Sequence, residues 1–345
     1  MCNIAGYAGG RPAAPILLEI LHRQEPFDGN MSTGVATIHE GKLHYRKMVG
    51  SVADLIKNTD VLDLPGTIGI AHTRPAANPD LPPMHPNISR DGTMALVTNG
   101  TTPITKYSPG WSEAVNMLDA EGYRFVHEGE SDSPHPVHKR TGNHVSPAEA
   151  RVYLVEHYMA RGKTVTEALA LACAHMYSDN VTVLISESHP DSIFALRTTR
   201  AMTAVMEKGE TYLSTSRFGL PEELAEKAFD LPLFYACEIG RNGIQITADK
   251  MDAEPVADMT PYTYAEGYRR IEQLLLSEAA PCNYDKLELT LNEMRDLWPG
   301  EHTCVQHARL AYDLLWQFEK EGRLKREMRV KETKAGLKHR WFFSL

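Results

Sequence analysis

The spacing of apolar and polar residues over positions 2–250 predicts short paired strands beside groups of helices. Alternating or short apolar runs, typical of strands, occur in CNIAGYA, GVATIHEGKLHYRKM, GTIGIAHTR, TMALVTNG, NVTVLISESHPDSIFALRTTR, AMTAVMEKGETYLSTS and FYACEIGRNGIQITAD. Apolar residues recur at helical spacing in PAAPILLEILHRQ, SPAEARVYLVEHYMARG and KTVTEALALACAHM. Because strands follow strands instead of alternating with helices, we expect an α+β fold with antiparallel sheets.

A change of pattern near residue 255 predicts a second domain. Helical periodicity dominates from there, in PVADMTPYTYAEGYRRIEQLLL, YDKLELTLNEMRDL and CVQHARLAYDLLWQFEKEGRLK, and REMRV and RWFFSL then predict a closing β-hairpin. We therefore divide the chain into residues 2–255 and 256–345. The order of helices and hairpin in the second part resembles a small winged-helix domain.

The composition and charge of the chain argue against several functional classes. The chain has 36 Lys and Arg against 45 Asp and Glu, a net charge of -9, which argues against nucleic-acid binding by the whole surface but leaves a local basic patch open. No apolar run approaches the ~20 residues that span a bilayer. The chain also shows no secretory leader, so we expect a cytoplasmic protein without membrane contact. The five scattered cysteines indicate neither disulfides nor a zinc site, and the histidines of HPVHKRTGNH are expected in a loop.

A cysteine stands directly after the initiator methionine, which is normally removed when the next residue is small. A thiol beside a free α-amine is a nucleophile with its own base, because both groups titrate near neutral pH. The alternative is that the identity of position 2 is arbitrary. Cys2 alone does not decide between a catalytic terminus and an incidental one.

Two polar strand ends add further candidates. Arg74 ends the apolar strand GIAHTR, where a guanidinium could hold a carboxylate through two parallel hydrogen bonds, or could simply be a surface charge. Asn99 and Gly100 end the strand ALVTNG, where a side-chain amide and a backbone N–H could hold an oxyanion, or could form a plain turn.

The stretches around Cys2, Arg74 and Asn99-Gly100, taken together and in this order, resemble the class II glutamine amidotransferases, which are N-terminal nucleophile hydrolases. The likeness is greatest to the glutaminase domain of glucosamine-6-phosphate synthase. MCNI at residues 1–4 is similar to the family's Met-Cys-Gly-Ile, and HTRPAA at 72–77 to its His-Thr-Arg-Trp-Ala-Thr. HP at 85–86 and TNG at 98–100 are similar to its downstream His-Pro and His-Asn-Gly. APILLEIL and NMSTGVATI match the family's first helix and second strand, and EGYRFV and HPDSIFALRTTRAMTAV also fit its pattern.

The resemblance implies a fold and a reaction. The fold is a four-layer α/β/β/α sandwich of two antiparallel sheets between helices. The Cys2 thiol would attack the side-chain amide of glutamine with its α-amine as base, while Asn99 and the Gly100 N–H stabilise the oxyanion. Ammonia would leave for an acceptor or a separate synthase chain, and no metal or organic cofactor is needed for this step.

The same resemblance implies the residues that bind substrate. Arg74 would hold the α-carboxylate of glutamine, and Asp132, in SDSP where the family has Thr-Asp-Thr-Glu, would hold the α-amine. Thr73 and His85 would support the pocket. A solvent-exposed loop carboxylate is the alternative for Asp132, because Pro134 and a longer loop follow it.

Changed neighbours of these residues leave other substrates open. Asn3, Pro75 and Thr98 replace the family's glycine, tryptophan and histidine, so the substrate could be an amide other than glutamine, or the site could only bind. The alternative to an enzyme is a regulatory protein whose N-terminal domain senses glutamine or a related amino acid and whose winged-helix domain binds DNA or a partner.

The C-terminal segment is too short for the sugar-isomerase domains of the synthase, so we expect no isomerase site. Its predicted wing is basic, with cations at Lys325, Arg326, Arg329, Lys331, Lys334, Lys338 and Arg340, which would suit phosphate contacts. The helix before the wing carries Asp313 and Glu319 among apolar residues, which is poor for reading bases. We therefore expect a protein partner or a homo-oligomer in preference to nucleic acid, with another small helical fold as the alternative.

Overall fold

The computed structural model describes residues 2–75, 85–100, 108–129, 135–252, 256–277, 281–298, 300, 304–333 and 336–345. The helices are α1 Ala13–Asp28, α2 Val52–Asn58, α3 Ser108–Ala120, α4 Pro147–Met159, α5 Val165–His175, α6 Glu222–Ala225, α7 Pro261–Leu276, α8 Tyr284–Glu293 and α9 His307–Lys320. The strands are β1 Asn3–Ala8, β2 Ser32–His39, β3 Lys42–Val49, β4 Ile68–Arg74, β5 Asn87–Ile88, β6 Met94–Asn99, β7 Glu128–Gly129, β8 His144–Val145, β9 Val181–Ser186, β10 His189–Arg197, β11 Thr203–Glu207, β12 Glu210–Ser214, β13 Phe229–Asp230, β14 Tyr235–Gly240, β15 Gly243–Lys250, β16 Cys282–Asn283, β17 Lys325–Thr333 and β18 Gly336–Ser344.

Two antiparallel sheets packed face to face form the centre of the N-terminal part. The first has the strand order β13-β11-β12-β1-β4-β2-β3, and the second has the order β15-β14-β10-β9-β6-β5. Apolar side chains from both sheets, such as Ile4, Ile70, Val97 and Val183, are fully buried between them. The expected mixed fold with antiparallel sheets is confirmed.

Helices cover the outer face of each sheet. α1 and α2 bury Leu17 and Leu55 against the first sheet. α3, α4 and α5 bury Trp111 and Leu154 in the apolar cluster over the second. The apolar stripes of these helices therefore complete a helix, sheet, sheet, helix order.

Two local features of the N-terminal part differ from the simplest interpretation of the sequence. EGYRFV is not a strand, because its first residues close α3 through the Tyr123 N–H to Leu118 O bond. The N–H groups of Val126 and His127 then donate to the Glu149 carboxylate instead of to a strand. In the hairpin of β14 and β15 the turn lies one residue earlier than Asn-Gly, because Gly240 pairs with Gly243.

The C-terminal segment contains the expected helices and hairpin. α7, α8 and α9 pack around a three-stranded sheet of order β16-β18-β17. Their apolar cluster includes Phe27 of α1, whose ring lies 5.5 Å from that of Phe343 and 5.8 Å from that of Tyr312. The segment is therefore anchored at the end of α1. None of the described helices is long and apolar enough to cross a bilayer.

Candidate active site

Strand pairing brings the start of β1 beside the end of β4. Asn3 lies opposite Thr73 in the antiparallel register, so Cys2 emerges next to Arg74. β6 of the facing sheet ends at Asn99, at the same edge of the sandwich. Three stretches that are far apart in sequence therefore meet at one place, as the sequence predicts.

Asn99 holds Cys2 through two hydrogen bonds. The backbone N–H of Cys2 donates to Asn99 Oδ1 at 3.2 Å, and Asn99 Nδ2 donates to the Cys2 carbonyl oxygen at 2.6 Å. Asn99 is 1% exposed, whereas Cys2 is only partly buried and can be reached from solvent. Since an amide nitrogen carries two protons, Nδ2 can donate to Cys2 and to a substrate oxygen at the same time.

Gly100 is fixed by a close backbone approach. Its φ of +82° lies in the left-handed region, and a Cβ added there would lie 1.9 Å from the Asp179 carbonyl oxygen. The same Cβ would lie 2.8 Å from Cγ and Nε of Arg200. Only glycine fits at this position without moving the neighbouring backbone.

Arg200 connects this glycine to the C-terminal segment. Its guanidinium donates to Asp179 Oδ2 at 2.6 Å and to Glu288 of α8, and His307 of α9 lies 3.0 Å from the same Glu288 carboxylate. Burial alone would raise the pKa of Glu288, but the Arg200 guanidinium and His307 lower it below its ordinary value. Glu288 is therefore ionised, and it ties α8 and α9 to the oxyanion side of the site.

Asn3, the residue after Cys2, makes side-chain hydrogen bonds to two helices. Asn3 Nδ2 donates to the carbonyl oxygens of Gln24 at 3.1 Å and Asp28 at 3.0 Å, both in α1. The Tyr312 hydroxyl of α9 donates to Asn3 Oδ1 at 3.3 Å. The asparagine that replaces the family's glycine thus joins β1 to α1 and α9, which fixes the backbone that carries Cys2.

Thr73 and Arg74 form the opposite wall. Buried Thr73 Oγ1 accepts from the Asn30 N–H at 2.9 Å and from Thr33 Oγ1 at 3.2 Å. The Arg74 carbonyl accepts from the Met31 N–H at 3.0 Å, and Arg74 as a whole is half-buried. Thr73 thus shapes the wall from behind, while Arg74 stands at its solvent side.

His85 lies behind that wall against a second histidine. The rings of His72 and His85 are 3.9 Å apart, and the Asn87 amide lies 3.2 Å from His85 Nδ1. Burial, with the charge of Arg74 adding to it, lowers the pKa of His72 to about 3, and burial lowers the pKa of His85 well below its ordinary value. Both imidazoles are therefore neutral at physiological pH, and His85 supports the site as an uncharged packing group.

Three further points concern Asp132, metal ligands and the other cysteines. Asp132 lies outside the described residues. Among the described residues, no three His, Cys, Asp or Glu side chains are grouped so as to hold a metal ion. The other four cysteines, Cys173, Cys237, Cys282 and Cys304, are all buried.

The closing hairpin reaches the site, which the sequence analysis did not predict. Lys338 Nζ of β18 donates to the Pro75 carbonyl at 2.5 Å and lies 3.9 Å from Asp28 Oδ1. Arg340 of the same strand pairs with Asp28, which is 1% exposed, and with Asp285 of α8. The sequence did carry a signal for this contact. Lys338 and Arg340 stand at alternate positions before the buried aromatic Phe343, and alternate residues of a strand share one face.

Other predicted wing cations are also paired within the chain. Arg326 lies 2.6 Å from Glu319, and Arg329 lies 2.9 Å from Glu327. With Lys338 and Arg340 engaged at the site, four of the six predicted wing cations that the structure describes have intramolecular partners, and Lys334 lies outside the described residues.

Comparison with known proteins gives one consistent family. Over 217 residues the chain is 30% identical to a glutamine–fructose-6-phosphate aminotransferase (isomerizing) of Caldanaerobacter subterraneus subsp. tengcongensis, covering 62% of this chain and 31% of the relative. The enzyme of the same name from Aeropyrum pernix is 32% identical over 202 residues, covering 57% of this chain and 29% of the relative. The chain spans about a third of the length of these curated relatives. No family model matches it.

Solved structures show the same fold. The glutamine phosphoribosylpyrophosphate amidotransferase of B. subtilis, complexed with ADP and GMP, has a TM-score of 0.57 at 15% identity, covering 76% of this chain and 52% of that one. A structure described as the allosteric regulatory enzyme of purine biosynthesis has a TM-score of 0.59 at 13% identity, covering 81% and 59%.

The stacked antiparallel sheets, with a cysteine at the head of a central strand, have the same fold as these two solved structures. The sequence likeness to glutamine–fructose-6-phosphate aminotransferases, together with this fold, supports a class II glutamine amidotransferase domain in this chain. The resemblance predicted from the sequence is confirmed.

Proposed function

We propose that this protein uses Cys2 to hydrolyse the side-chain amide of glutamine, releasing glutamate and passing ammonia to an acceptor. The observation that carries this proposal is the reciprocal pair of hydrogen bonds between Cys2 and Asn99. These bonds hold the nucleophile, its amine and an oxyanion donor together, which is the geometry that acyl transfer requires.

The reaction begins with transfer of the thiol proton to the α-amine of Cys2. The sulfur then attacks the amide carbon, and the resulting oxyanion accepts hydrogen bonds from Asn99 Nδ2 and the Gly100 N–H. The protonated amine gives its proton to the departing nitrogen, ammonia leaves, and a thioester remains. Water hydrolyses the thioester to glutamate and restores the thiol.

Glutamine binding follows from the wall around Arg74. Its guanidinium would hold the α-carboxylate by two parallel hydrogen bonds. Thr73 and neutral His85 keep that wall in place, and Asp132 would hold the α-amine. A synthase chain or a small acceptor would consume the ammonia.

The C-terminal segment is proposed to be a winged-helix-like domain, on the order of its three helices and its three-stranded sheet. Its engaged cations favour a role at the amidotransferase domain, or with a protein partner, over phosphate contacts on a duplex.

The test is glutamate release from glutamine by purified protein whose intact mass shows loss of the initiator methionine. Incubation with 6-diazo-5-oxo-norleucine should add one label to Cys2, and Cys2→Ala should abolish both the label and glutamate release. Asn99→Ala should lower kcat by about 10²- to 10³-fold. Cys237→Ala, which changes a buried thiol of the second sheet, should retain activity.

Absence of both label and glutamate in a protein with a free Cys2 terminus would contradict the proposal. Release of ammonia from another amide alone would replace glutamine as the substrate. Binding of glutamine with no turnover would favour the amino-acid sensor.

A further inference from the structure

Arg151 of α4 is a fully buried cation that the reaction described above does not use. Its guanidinium contacts neutral oxygens: Nη1 donates to Thr98 Oγ1 at 3.4 Å, and Nη2 donates to the Met176 carbonyl at 3.0 Å and to Ser178 Oγ at 3.3 Å. Its Nε has no hydrogen-bond partner. Among the described residues, no carboxylate lies within ion-pair distance of this guanidinium.

The positive charge of Arg151 is present but not neutralised. Burial lowers the pKa of Arg151 from its ordinary value, yet an arginine side chain stays protonated in proteins. Burial also raises the pKa of the neighbouring Cys173 thiol, which is therefore neutral. Because burying an unpaired charge opposes folding, packing alone gives no reason for an arginine at this position of α4.

On one side, Arg151 reaches the strand that carries Asn99. Thr98 stands directly before Asn99 in β6, and both residues are 1% exposed. The hydrogen bond from Arg151 to Thr98 Oγ1 therefore supports the backbone from which the Asn99 amide extends to Cys2.

On the other side, Arg151 holds the segment that packs against Gly100. Its Nη2 bonds Met176 and Ser178, and Asp179 follows directly in the chain. The ideal Cβ position of Gly100 lies 1.9 Å from the Asp179 carbonyl oxygen, so this segment limits where the Gly100 backbone can lie. One guanidinium thus connects the two chain segments that place the oxyanion donors.

We propose that Arg151 is a positioning residue of the oxyanion site, which holds Asn99 and Gly100 in place and sets an unneutralised positive charge behind them. The inference rests on the proposed function, because it assigns how the tetrahedral oxyanion of the same reaction is stabilised. The negative charge forms only after Cys2 has attacked, so the cation favours the transition state over the bound substrate.

Steady-state kinetics of Arg151→Met test the inference. The methionine fills similar space without the charge or the donors, and it should lower kcat by about tenfold with little change in KM, since a donor that touches the oxyanion is itself worth about 10²- to 10³-fold. Val155→Ala is the matched control, because it removes fully buried packing one turn further along α4. It should lower stability in urea but retain the wild-type kcat.

Two conservative variants separate the charge from the space that the side chain fills. Arg151→Lys retains the charge and should restore part of the lost kcat. Arg151→Gln retains a donor without the charge, so it should be slower than Arg151→Lys. This pair gives the same comparison if Arg151→Met does not fold.

An aldehyde analogue tests the oxyanion site without turnover. In glutamate γ-semialdehyde an aldehyde replaces the side-chain amide: the Cys2 sulfur bonds to the carbonyl carbon, and the thiol proton goes to the α-amine of Cys2. The alkoxide that forms occupies the oxyanion position and has no leaving group to expel. Calorimetry should show that Arg151→Met binds this aldehyde about tenfold more weakly than wild type.

Alkylation by iodoacetamide is the control for the thiol itself. Iodoacetamide reacts at a saturated carbon and forms no oxyanion, and Cys2 is the one cysteine of the five that is not buried. Its alkylation rate should therefore be the same in Arg151→Met and wild type. Slower alkylation in the variant would overturn the inference, because it would show that the change disturbs the nucleophile.

The inference would also fail if Arg151→Met matched wild type in both kcat and aldehyde affinity, or if Val155→Ala lost as much kcat. A wild-type protein that binds the aldehyde in an Arg151-dependent way but releases no glutamate would refute the proposed function alone. An active enzyme whose kcat and aldehyde affinity do not depend on Arg151 would refute this inference alone. A wild-type protein that neither binds the aldehyde nor releases glutamate would refute both.

Discussion

Replacing Gly100 with alanine should damage both stability and catalysis, because the added methyl group has no space. An ideal Cβ would lie 1.9 Å from the Asp179 carbonyl oxygen, which belongs to the backbone and cannot rotate away as a side-chain tip would. The adjoining Asn180 N–H is held by Thr198 Oγ1 at 2.6 Å, so this backbone is itself constrained. The end of β6 must therefore shift.

The expected loss of folding free energy has two parts, and the effect on kcat is separate. A residue with a Cβ at φ +82° costs about 1–2 kcal/mol relative to glycine, whatever its surroundings. The overlap adds a packing cost of about 1–3 kcal/mol, typical of an overfilled core. Displacing the Gly100 N–H also removes an oxyanion donor, which lowers kcat by about 10²-fold or more.

Gly92 offers a matched control for the backbone cost. Its φ is +76°, and no atom lies within 4 Å of an added Cβ. Urea unfolding should show Gly100→Ala to be less stable than Gly92→Ala by the overlap cost, and glutamate release should fall in Gly100→Ala alone. Equal stability of the two variants, together with wild-type kcat in Gly100→Ala, would refute the assigned role of Gly100.

Two further predictions concern the contacts of the C-terminal segment. Arg340→Met leaves Asp28 buried without this partner and should lower the free energy of unfolding by about 3 kcal/mol in urea. Arg329→Met, directly across the hairpin with a side chain that is 41% exposed, should change it by about 1 kcal/mol or less, and equal losses would contradict the anchoring role. Because the pKa of Glu288 is lowered in the folded state, its contribution to stability is present above its ordinary value of 4.5 and is lost as pH falls below it. Glu288→Gln should therefore lower stability at pH 7 and reduce the acid dependence of the thermal midpoint, and an unchanged acid dependence would show that Glu288 is not the titrating group.

The sequence predicts the local elements better than their contacts. Alternation and helical spacing identify β1, β4, β6 and α1, because each buries one face or both. Among the described helices, α2, α3 and α6 were not predicted, although two of them carried signals. Ser51 and Asp54 form a capping box at the start of α2, and Trp111, Val115 and Leu118 share one face of α3. These short signals were outweighed by the polar residues around them.

Contacts of long sequence separation could not be predicted in the same way. The Asp28–Arg340 pair joins residues 312 positions apart, and no periodicity indicates that two such charges meet. For that reason the basic residues of β17 and β18 indicate, from the sequence alone, a wing that would suit phosphate contacts, although we expect a protein partner or a homo-oligomer in preference to nucleic acid. The structure instead shows Arg340 paired with carboxylates of α1 and α8, and Lys338 directed at the backbone beside Arg74.

The site is consequently supported from two sides by one C-terminal segment. On the oxyanion side, Arg200 connects Gly100 to Glu288, and on the nucleophile side Tyr312 binds Asn3 while Arg340 binds Asp28. Any displacement of α8, α9 and β18 would separate buried charges at both places, so docking of the segment and geometry of the nucleophile are energetically linked. Because such linkage is reciprocal, a substrate that requires the assembled site must also strengthen the docking of the segment.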